Sequence, residues 1–360
     1  MSLQTKLEIV IPRENAGSSS SNRFDYQKNW AICKLIELSQ NDIDFLLTFE
    51  YHDDIIIFDS SLNPSKIDFF QIKTSKTKFN LKRLLSQKET KTGKSNSFLG
   101  KLLLNKINFE NETSSLNFVT NSGYTFDKNN KLRIVCRDLE AKEIKEIETN
   151  LTSELTCKWL DEFVDTIFFE TSDLTIDHHE QLAKDKLYRL LESKYTTDVK
   201  YNPSLAYRTI FDEVNRKNNL EKKLSNFSEL LKYKSISKKD FENILVTIAK
   251  EPSNLTNIKN QIFTNLDLAG LKISERRKLI SAWKDVEIEY LKIDNEFFKK
   301  LVKLLNNLID KHINVLDDEN LIDAIDKIFL EASRQPIIKS QKLYNNEFIK
   351  LVILKEIYNG

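Results

Sequence analysis

The sequence predicts an α/β protein with a mixed-sheet core and flanking helices over roughly its first two hundred residues, followed by an all-α C-terminal region. Three observations carry this. Short runs rich in aromatic and β-branched residues alternate with helical patterns through the first part of the chain. From Ser204 onward apolar residues recur at helical spacing. At 360 residues the chain is also long enough to bury two cores, and the expected domains are residues 1–203 and 204–360.

The elements follow in order. Asn15 to Asn22, rich in Ser with one Gly, reads as a loop ahead of a helix. Tyr26 to Ser39 spaces Trp30, Ile32, Cys33, Leu35, Ile36 and Leu38 as a largely buried helix face. Phe45 to Tyr51, Asp54 to Phe58 and Ile67 to Thr74 read as a strand meander. Asp59 to Lys66, with Asn63-Pro64, forms the loop between the last two. A helix is expected from about Ser97 to Ile107, then strands at Leu116 to Thr120, Lys131 to Cys136 and Thr166 to Thr171, with a charged helix between the last two. Beyond Ser204, helical runs cover Leu220 to Tyr233, Phe241 to Ala249, Lys278 to Leu308, Leu321 to Ala332 and Glu347 to Tyr358. No heptad or fixed-period repeat is sustained, which favours an irregular bundle over a coiled coil or solenoid.

Composition narrows the class. Hydrophobic residues at 40% and charged residues at 30% fit a globular chain. Apolar runs such as Ile55-Ile56-Ile57-Phe58 fall far short of the roughly 20 residues of a membrane span. Lys6, Glu8, Arg13 and Glu14 interrupt any secretory pattern, so a cytoplasmic location is expected. Cys33, Cys136 and Cys157 are odd in number and far apart, which excludes a disulfide framework and a Cys-x-x-Cys knuckle.

The net charge of +1 argues for no partner, but its distribution does. Lys73 to Lys106 holds ten Lys or Arg and one acid, Glu89, whereas Asp138 to Asp185 is mainly acidic. The basic stretch, with Lys76, Lys78, Lys82 and Arg83 near its start, suits phosphate contacts; a solvated lysine-rich face is the alternative.

Metal-assisted phosphodiester hydrolysis needs oxygen ligands for magnesium and a cation near the attacking water or the developing charge. Asp54, Gln71 and Lys73 supply this set. Gln71 and Lys73, two apart on a strand, share a face, while Phe70 and Ile72 point the other way. The loop between strands lets Asp54 fold back beside that pair. Singly, each residue also reads as an ordinary turn or exposed strand position.

The order Asp54, then Gln71-Ile72-Lys73 at a strand end, resembles the PD-(D/E)XK nuclease superfamily in its Gln-x-Lys version, as in Mrr-like restriction enzymes. The runs Arg13-Glu14-Asn15-Ala16-Gly17, Phe24-Asp25-Tyr26-Gln27, Glu50-Tyr51-His52-Asp53-Asp54 and Phe69-Phe70-Gln71-Ile72-Lys73-Thr74 resemble the effector-nuclease domain of bacterial anti-phage systems. That domain is known from CBASS effectors, HerA-associated nucleases and the nuclease subunit of Lamassu systems.

The resemblance implies a restriction-endonuclease-like core in residues 1–203 and a regulatory or oligomerisation role for 204–360. It implies a Mg²⁺-dependent endonuclease acting on double-stranded DNA, with Mn²⁺ as a substitute. Asp54 would be the central metal ligand, Gln71 would give an amide oxygen where relatives have Glu, and Lys73 would activate water and stabilise charge. Glu50 or Asp53 would add a second carboxylate, and Gln27 would stand where other members have an acid. Gln at position 71 removes one negative charge, which weakens metal binding or makes it depend on assembly.

The implied partner is an SMC-like ATPase of the Lamassu kind, with a HerA-type ring as the alternative. A nuclease able to damage its host must be kept off, and homo-oligomerisation that assembles active sites is the expected switch. A non-catalytic DNA-binding or scaffold subunit with the same fold is the rival from another class.

Other motifs carry less. Thr92-Gly93-Lys94-Ser95 resembles the end of a P-loop, but Lys88 stands where its first Gly should be, so a basic loop is expected. Asp177, His178, His179 and Glu180 are adjacent and cannot all reach one ion. No Gly-x-Ser-x-Gly elbow or dinucleotide fingerprint is present. Trp283, Phe297 and Phe298 are candidates for self-association.

Overall fold

A computed structural model describes residues 2–9, 21–90, 93–195, 203–220, 224–291, 295–339 and 344–358. The chain forms two compact units: Met1–Leu190 with Ile210–Asn243, and Leu191–Thr209 with Ile244–Gly360.

In chain order the first part holds α1 (Leu3–Ile9), α2 (Ser21–Ser39), β1 (Leu46–Tyr51), β2 (Asp53–Phe58), β3 (Ile67–Lys73), α3 (Leu81–Leu84), β4 (Lys88–Thr90), β5 (Gly93–Ser95) and α4 (Phe98–Phe109). Then come β6 (Thr113–Thr120), β7 (Arg133–Val135), α5 (Ala141–Leu155), α6 (Phe163–Thr166), β8 (Ile167–Thr171), α7 (His179–Lys194), α8 (Pro203–Asn218), α9 (Phe227–Lys234) and β9 (Ser235–Ser237). The helical remainder is α10 (Lys238–Leu268), α11 (Ile273–Leu291), α12 (Glu296–Lys311), α13 (Ile313–Asp318), α14 (Leu321–Ser333), α15 (Pro336–Lys339) and α16 (Asn346–Ile357).

Seven strands form one mixed sheet in the order β7-β8-β6-β3-β2-β1-β9. The β3–β6 and β6–β8 pairs are parallel and the others antiparallel. The β2–β3 loop is held by Asp59, whose Oδ1 accepts from Ser65 N at 2.8 Å and Lys66 N at 3.0 Å. β3 is sandwiched: Phe70 meets Trp30 of α2, ring centroids 5.2 Å apart, and Phe69 meets Phe109 of α4 at 5.5 Å. Ser97 caps α4 by accepting from Gly100 N at 3.0 Å. This packing holds the middle of β3 between α2 and α4.

The expected mixed core and helical C-terminal region are both present. Differences lie in detail. The run Lys278 to Leu308 is two helices, α11 and α12, and Asn295 caps the second by accepting from Phe298 N at 3.0 Å. Gly93–Ser95 is not a loop but pairs with Lys88–Thr90 in a separate exposed hairpin. β9 is a strand inside a region that reads as wholly helical, because three residues are too few to show a period. Trp283 and Phe298 are buried in the helical unit's own core, and Phe297 stacks on Tyr344, so this cluster is packing and not a free surface. Residues 221–223 of the Leu220 to Tyr233 run and 15–20 of the Ser-rich segment lie outside the described residues.

Among the described residues, no helix is long and apolar enough to cross a membrane. All three cysteines are free; burial pushes the Cys33 and Cys136 thiols up to about 12, far above any reactive range.

Candidate active site

Asp54 is the second residue of β2 and is buried. Its Oδ2 accepts from the Ile72 main-chain N–H at 2.7 Å and from Lys73 Nζ at 2.9 Å; Oδ1 lies 3.2 Å from the same ammonium. One carboxylate thus ties the start of β2 to the end of β3. The expected meeting of Asp54 with Lys73 is realised through the Lys73 ammonium, which reaches both carboxylate oxygens.

The turn that presents Asp54 is tight and strained. Tyr51 pairs with Asp53, leaving His52 at the apex with φ 65°, and Glu50 just before has φ 44°. Non-glycine residues in the left-handed region cost on the order of 1 kcal/mol or more each, and persist where surroundings over-determine them. Here they do. His52 packs edge-on against Phe109 with centroids 5.0 Å apart, Asn105 Nδ2 donates to Asp53 Oδ2 at 3.0 Å, and Lys234 Nζ donates to the Glu50 carbonyl at 2.8 Å.

Gln71 is buried on β3, and its amide Oε1 has no hydrogen-bond partner among the described residues. Gln27 on α2 donates through Nε2 to the Ile72 carbonyl at 3.1 Å, while its own Oε1 is likewise buried and unpartnered. A buried carbonyl oxygen left bare costs roughly 1–3 kcal/mol. Gln27 and Asp54 meet the same residue, Ile72, from its carbonyl and its N–H, and Gln71 precedes that residue on β3.

The structure therefore brings Asp54, Lys73 and Gln27 around Ile72, with Gln71 next along the strand. Asp53 is directed to Asn105 of α4, and the Glu50 carbonyl to Lys234. Of the basic residues, Lys76, Lys78, Lys82 and Arg83 are all exposed just past the end of β3. Arg83 bonds Ser75 Oγ at 2.7 Å and lies 3.8 Å over the Phe79 ring, which pins its guanidinium near the site's rim.

A hard divalent cation takes oxygen ligands, and Mg²⁺ is often held by one or two carboxylates together with substrate phosphates. Asp54 with bare amide oxygens matches that chemistry. Among the described residues no three His, Cys, Asp or Glu converge, so the donor set is short of protein charge. His179 is a core residue: its Nδ1 lies 3.0 Å from Asn29 Nδ2, and burial pushes its pKa below the usual histidine value.

Sequence reasoning missed Asn105 and Lys234. Asn105 directly follows the apolar Leu102-Leu103-Leu104, but Lys101, Lys106 and Asn108 in the same helix leave it without a distinctive signal. Lys234 gave none, being 180 residues beyond Asp54 in a lysine-rich chain.

Two comparisons with known proteins bear on this site. The family described as Cap4, dsDNA endonuclease domain matches residues 15–218. The chain is also 27% identical over 346 residues to the Lamassu protein LmuA of Bacillus cereus (strain VD014), covering 91% of this chain and 93% of that relative. No solved structure matches significantly.

Proposed function

The chain belongs to the Cap4 dsDNA endonuclease domain family, and from that premise we propose that it cuts double-stranded DNA with Mg²⁺, or Mn²⁺ in its place, held at Asp54. The observation that carries the reading is the Asp54 carboxylate bonded to Lys73 and Ile72 N, with Gln27 of α2 bonded to the carbonyl of that same Ile72 and Gln71 the residue before it.

Asp54 and Gln71 Oε1 would hold the ion, with Glu50 in the adjoining turn as the further carboxylate and Gln27 as an accessory oxygen. When bound, such an ion polarises the phosphate and makes a coordinated water more acidic. Lys73 orients the attacking water and neutralises charge that builds on the phosphate oxygens in the transition state. Ile72 N–H keeps the Asp54 carboxylate in one orientation. Lys76, Lys78, Lys82 and Arg83 hold the duplex through its phosphates. With Gln in place of an acid at 71, the site lacks one negative charge, so a DNA phosphate would supply the missing anionic oxygen and metal binding would be coupled to substrate.

The similarity to a Lamassu protein runs through the helical C-terminal part as well as the nuclease unit. It supports an effector nuclease of a multi-component anti-phage system of that kind, over a HerA-associated enzyme. The partner would be an SMC-like ATPase, and activity would be switched on by assembly into a homo-oligomer.

Asp54→Asn tests the reading against a non-catalytic scaffold. Metal-dependent cleavage of plasmid DNA by the parent chain, lost in the variant together with any Mg²⁺- or Mn²⁺-dependent rise in Tm, is expected. A parent chain that binds DNA but cuts none with either metal makes it a scaffold.

A further inference from the structure

We infer that Lys234 is a positioning residue for the Asp54 site, bracing the active-site turn from a segment that lies beyond the residues the nuclease family matches. Its catalytic consequence rests on the nuclease reading above; the brace itself does not.

The segment is well anchored. Phe227 of α9 packs edge-on against Phe58 with ring centroids 6.0 Å apart, and Leu230 is buried in the same core. β9 then pairs with β1 through Leu46↔Ser237, Leu47↔Ile236 and Thr48↔Ser235, and Thr48 Oγ1 meets Ser235 Oγ at 2.7 Å. Lys234 is the residue just before this ladder, so its direction is set by the sheet.

Its ammonium is 8% exposed as a residue and donates to the Glu50 carbonyl at 2.8 Å. Burying an ammonium is unfavourable unless it is hydrogen-bonded or paired. Burial pushes its pKa below the ordinary lysine value, and the negative charge of Glu50 opposes that. The acceptor is no ordinary carbonyl. It belongs to a residue at φ 44° that opens the turn ending at Asp54.

Loss of the ammonium removes its bond to the Glu50 carbonyl and lets the Glu50–His52 turn relax. Asp54 then drifts against Lys73 and the Gln71 oxygen, and a misplacement of about 1 Å is enough to cost on the order of 10²-fold in rate.

The test uses the full-length chain with Lys234→Met, Lys234→Arg and, as a control that weakens the same strand pair without touching Glu50, Ser235→Ala. Amide hydrogen exchange at residues 50–54, read without metal, should speed up about tenfold in Lys234→Met and stay at the parental rate in Ser235→Ala. For cleavage, kcat should fall roughly 10- to 100-fold in Lys234→Met with KM for DNA within about twofold, and Lys234→Arg should recover most of it. If Lys234→Met behaves like Ser235→Ala, with lower Tm but unchanged exchange and kcat, the residue is merely structural and the inference is overturned. Should Lys234→Met not fold, Lys234→Gln keeps a donor and is expected to shift exchange and kcat in the same direction; parental values in it overturn the inference equally. A parent chain that cuts no DNA would sink the nuclease reading, while exchange at residues 50–54 still decides the brace.

Discussion

The helical unit and the sheet unit treat polar groups in opposite ways. In the helical unit α16 is buried almost all round through Phe348, Ile349, Leu351, Val352, Ile353 and Leu354, within a core shared with α11, α12 and α14. Its polar groups are satisfied at the ends: Glu356 accepts from Tyr290 Oη at 2.7 Å and Asn306 Nδ2 at 2.9 Å, and Asn345 caps the start. The sheet unit instead keeps Asp54, Gln71 and Lys234 buried and leaves the Gln27 and Gln71 oxygens bare. Among the described residues every non-glycine positive φ, at Glu50, His52, Glu110, Asn130 and Thr156, also falls there. One region is arranged for burial and the other concedes stability at a strand end, which is where chemistry needs unsatisfied groups.

Lys73→Ala gives the sharpest contrast. It should lower DNA cleavage by about 10²- to 10³-fold or more, the scale for losing one donor that stabilises transition-state charge. Its Tm should move little, since Asp54 keeps the Ile72 N–H and Lys73 is itself partly exposed. Leu351→Ala should do the reverse: a loss of roughly 2–5 kcal/mol from the helical unit, seen in thermal melts, with cleavage by the folded fraction retained. If the two variants lowered Tm alike, the Asp54–Lys73 pair would be structural and the contrast would fail.

The sequence was most readable where one element carries its own pattern. Alternating β-branched and aromatic residues gave the strands that became β1, β2, β3, β6 and β8, and the order Asp54, Gln71, Lys73 pointed to the pair that the fold joins. What it did not reveal depends on distance along the chain. The Lys234 to Glu50 bond joins residues 184 apart, and β9 is given its strand conformation by pairing with β1, not by the propensity of Ser235-Ile236-Ser237. The strain at Glu50 and His52 is equally silent, since neither is a glycine that would announce a turn.

A smaller effect belongs to the basic residues at the site's rim. Replacing Lys76, Lys78, Lys82 and Arg83 together should weaken duplex binding for all sequences alike. It should also flatten the slope of log affinity on log salt by roughly 0.9 per lost phosphate contact. The Lys73→Ala background keeps the DNA whole during titration. Arg83 is held by Ser75 at 2.7 Å and by Phe79, against a single 3.4 Å bond from Lys78 to Asn130, so reverting it alone should recover the largest share. An unchanged slope would move the DNA path elsewhere and leave the sheet unit's special character confined to the catalytic end.

The smallest effect asks whether the sheet unit concedes stability away from the site too. Asp68 lies half-buried on β3, accepting from Ser115 Oγ at 2.5 Å. Burial raises its pKa above the usual aspartate value, although the Ser115 bond and the charges of Arg133 and Lys34 pull the other way. A carboxyl raised on folding gives its full stability below the unfolded pKa, near 3.9, and loses it as pH climbs through the folded value. The wild type should therefore match Asp68→Asn near pH 3.5 and melt slightly below it at pH 7.5, because the amide keeps the acceptor for Ser115 without a charge to desolvate. Glu170, also raised by burial, is a poorer probe, since Glu170→Gln removes the charge that Arg133 pairs with at 3.0 Å. If Asp68→Asn melts lower than wild type at pH 7.5, the charges of Arg133 and Lys34 outweigh desolvation. The concession would then be confined to the strand end that carries Asp54.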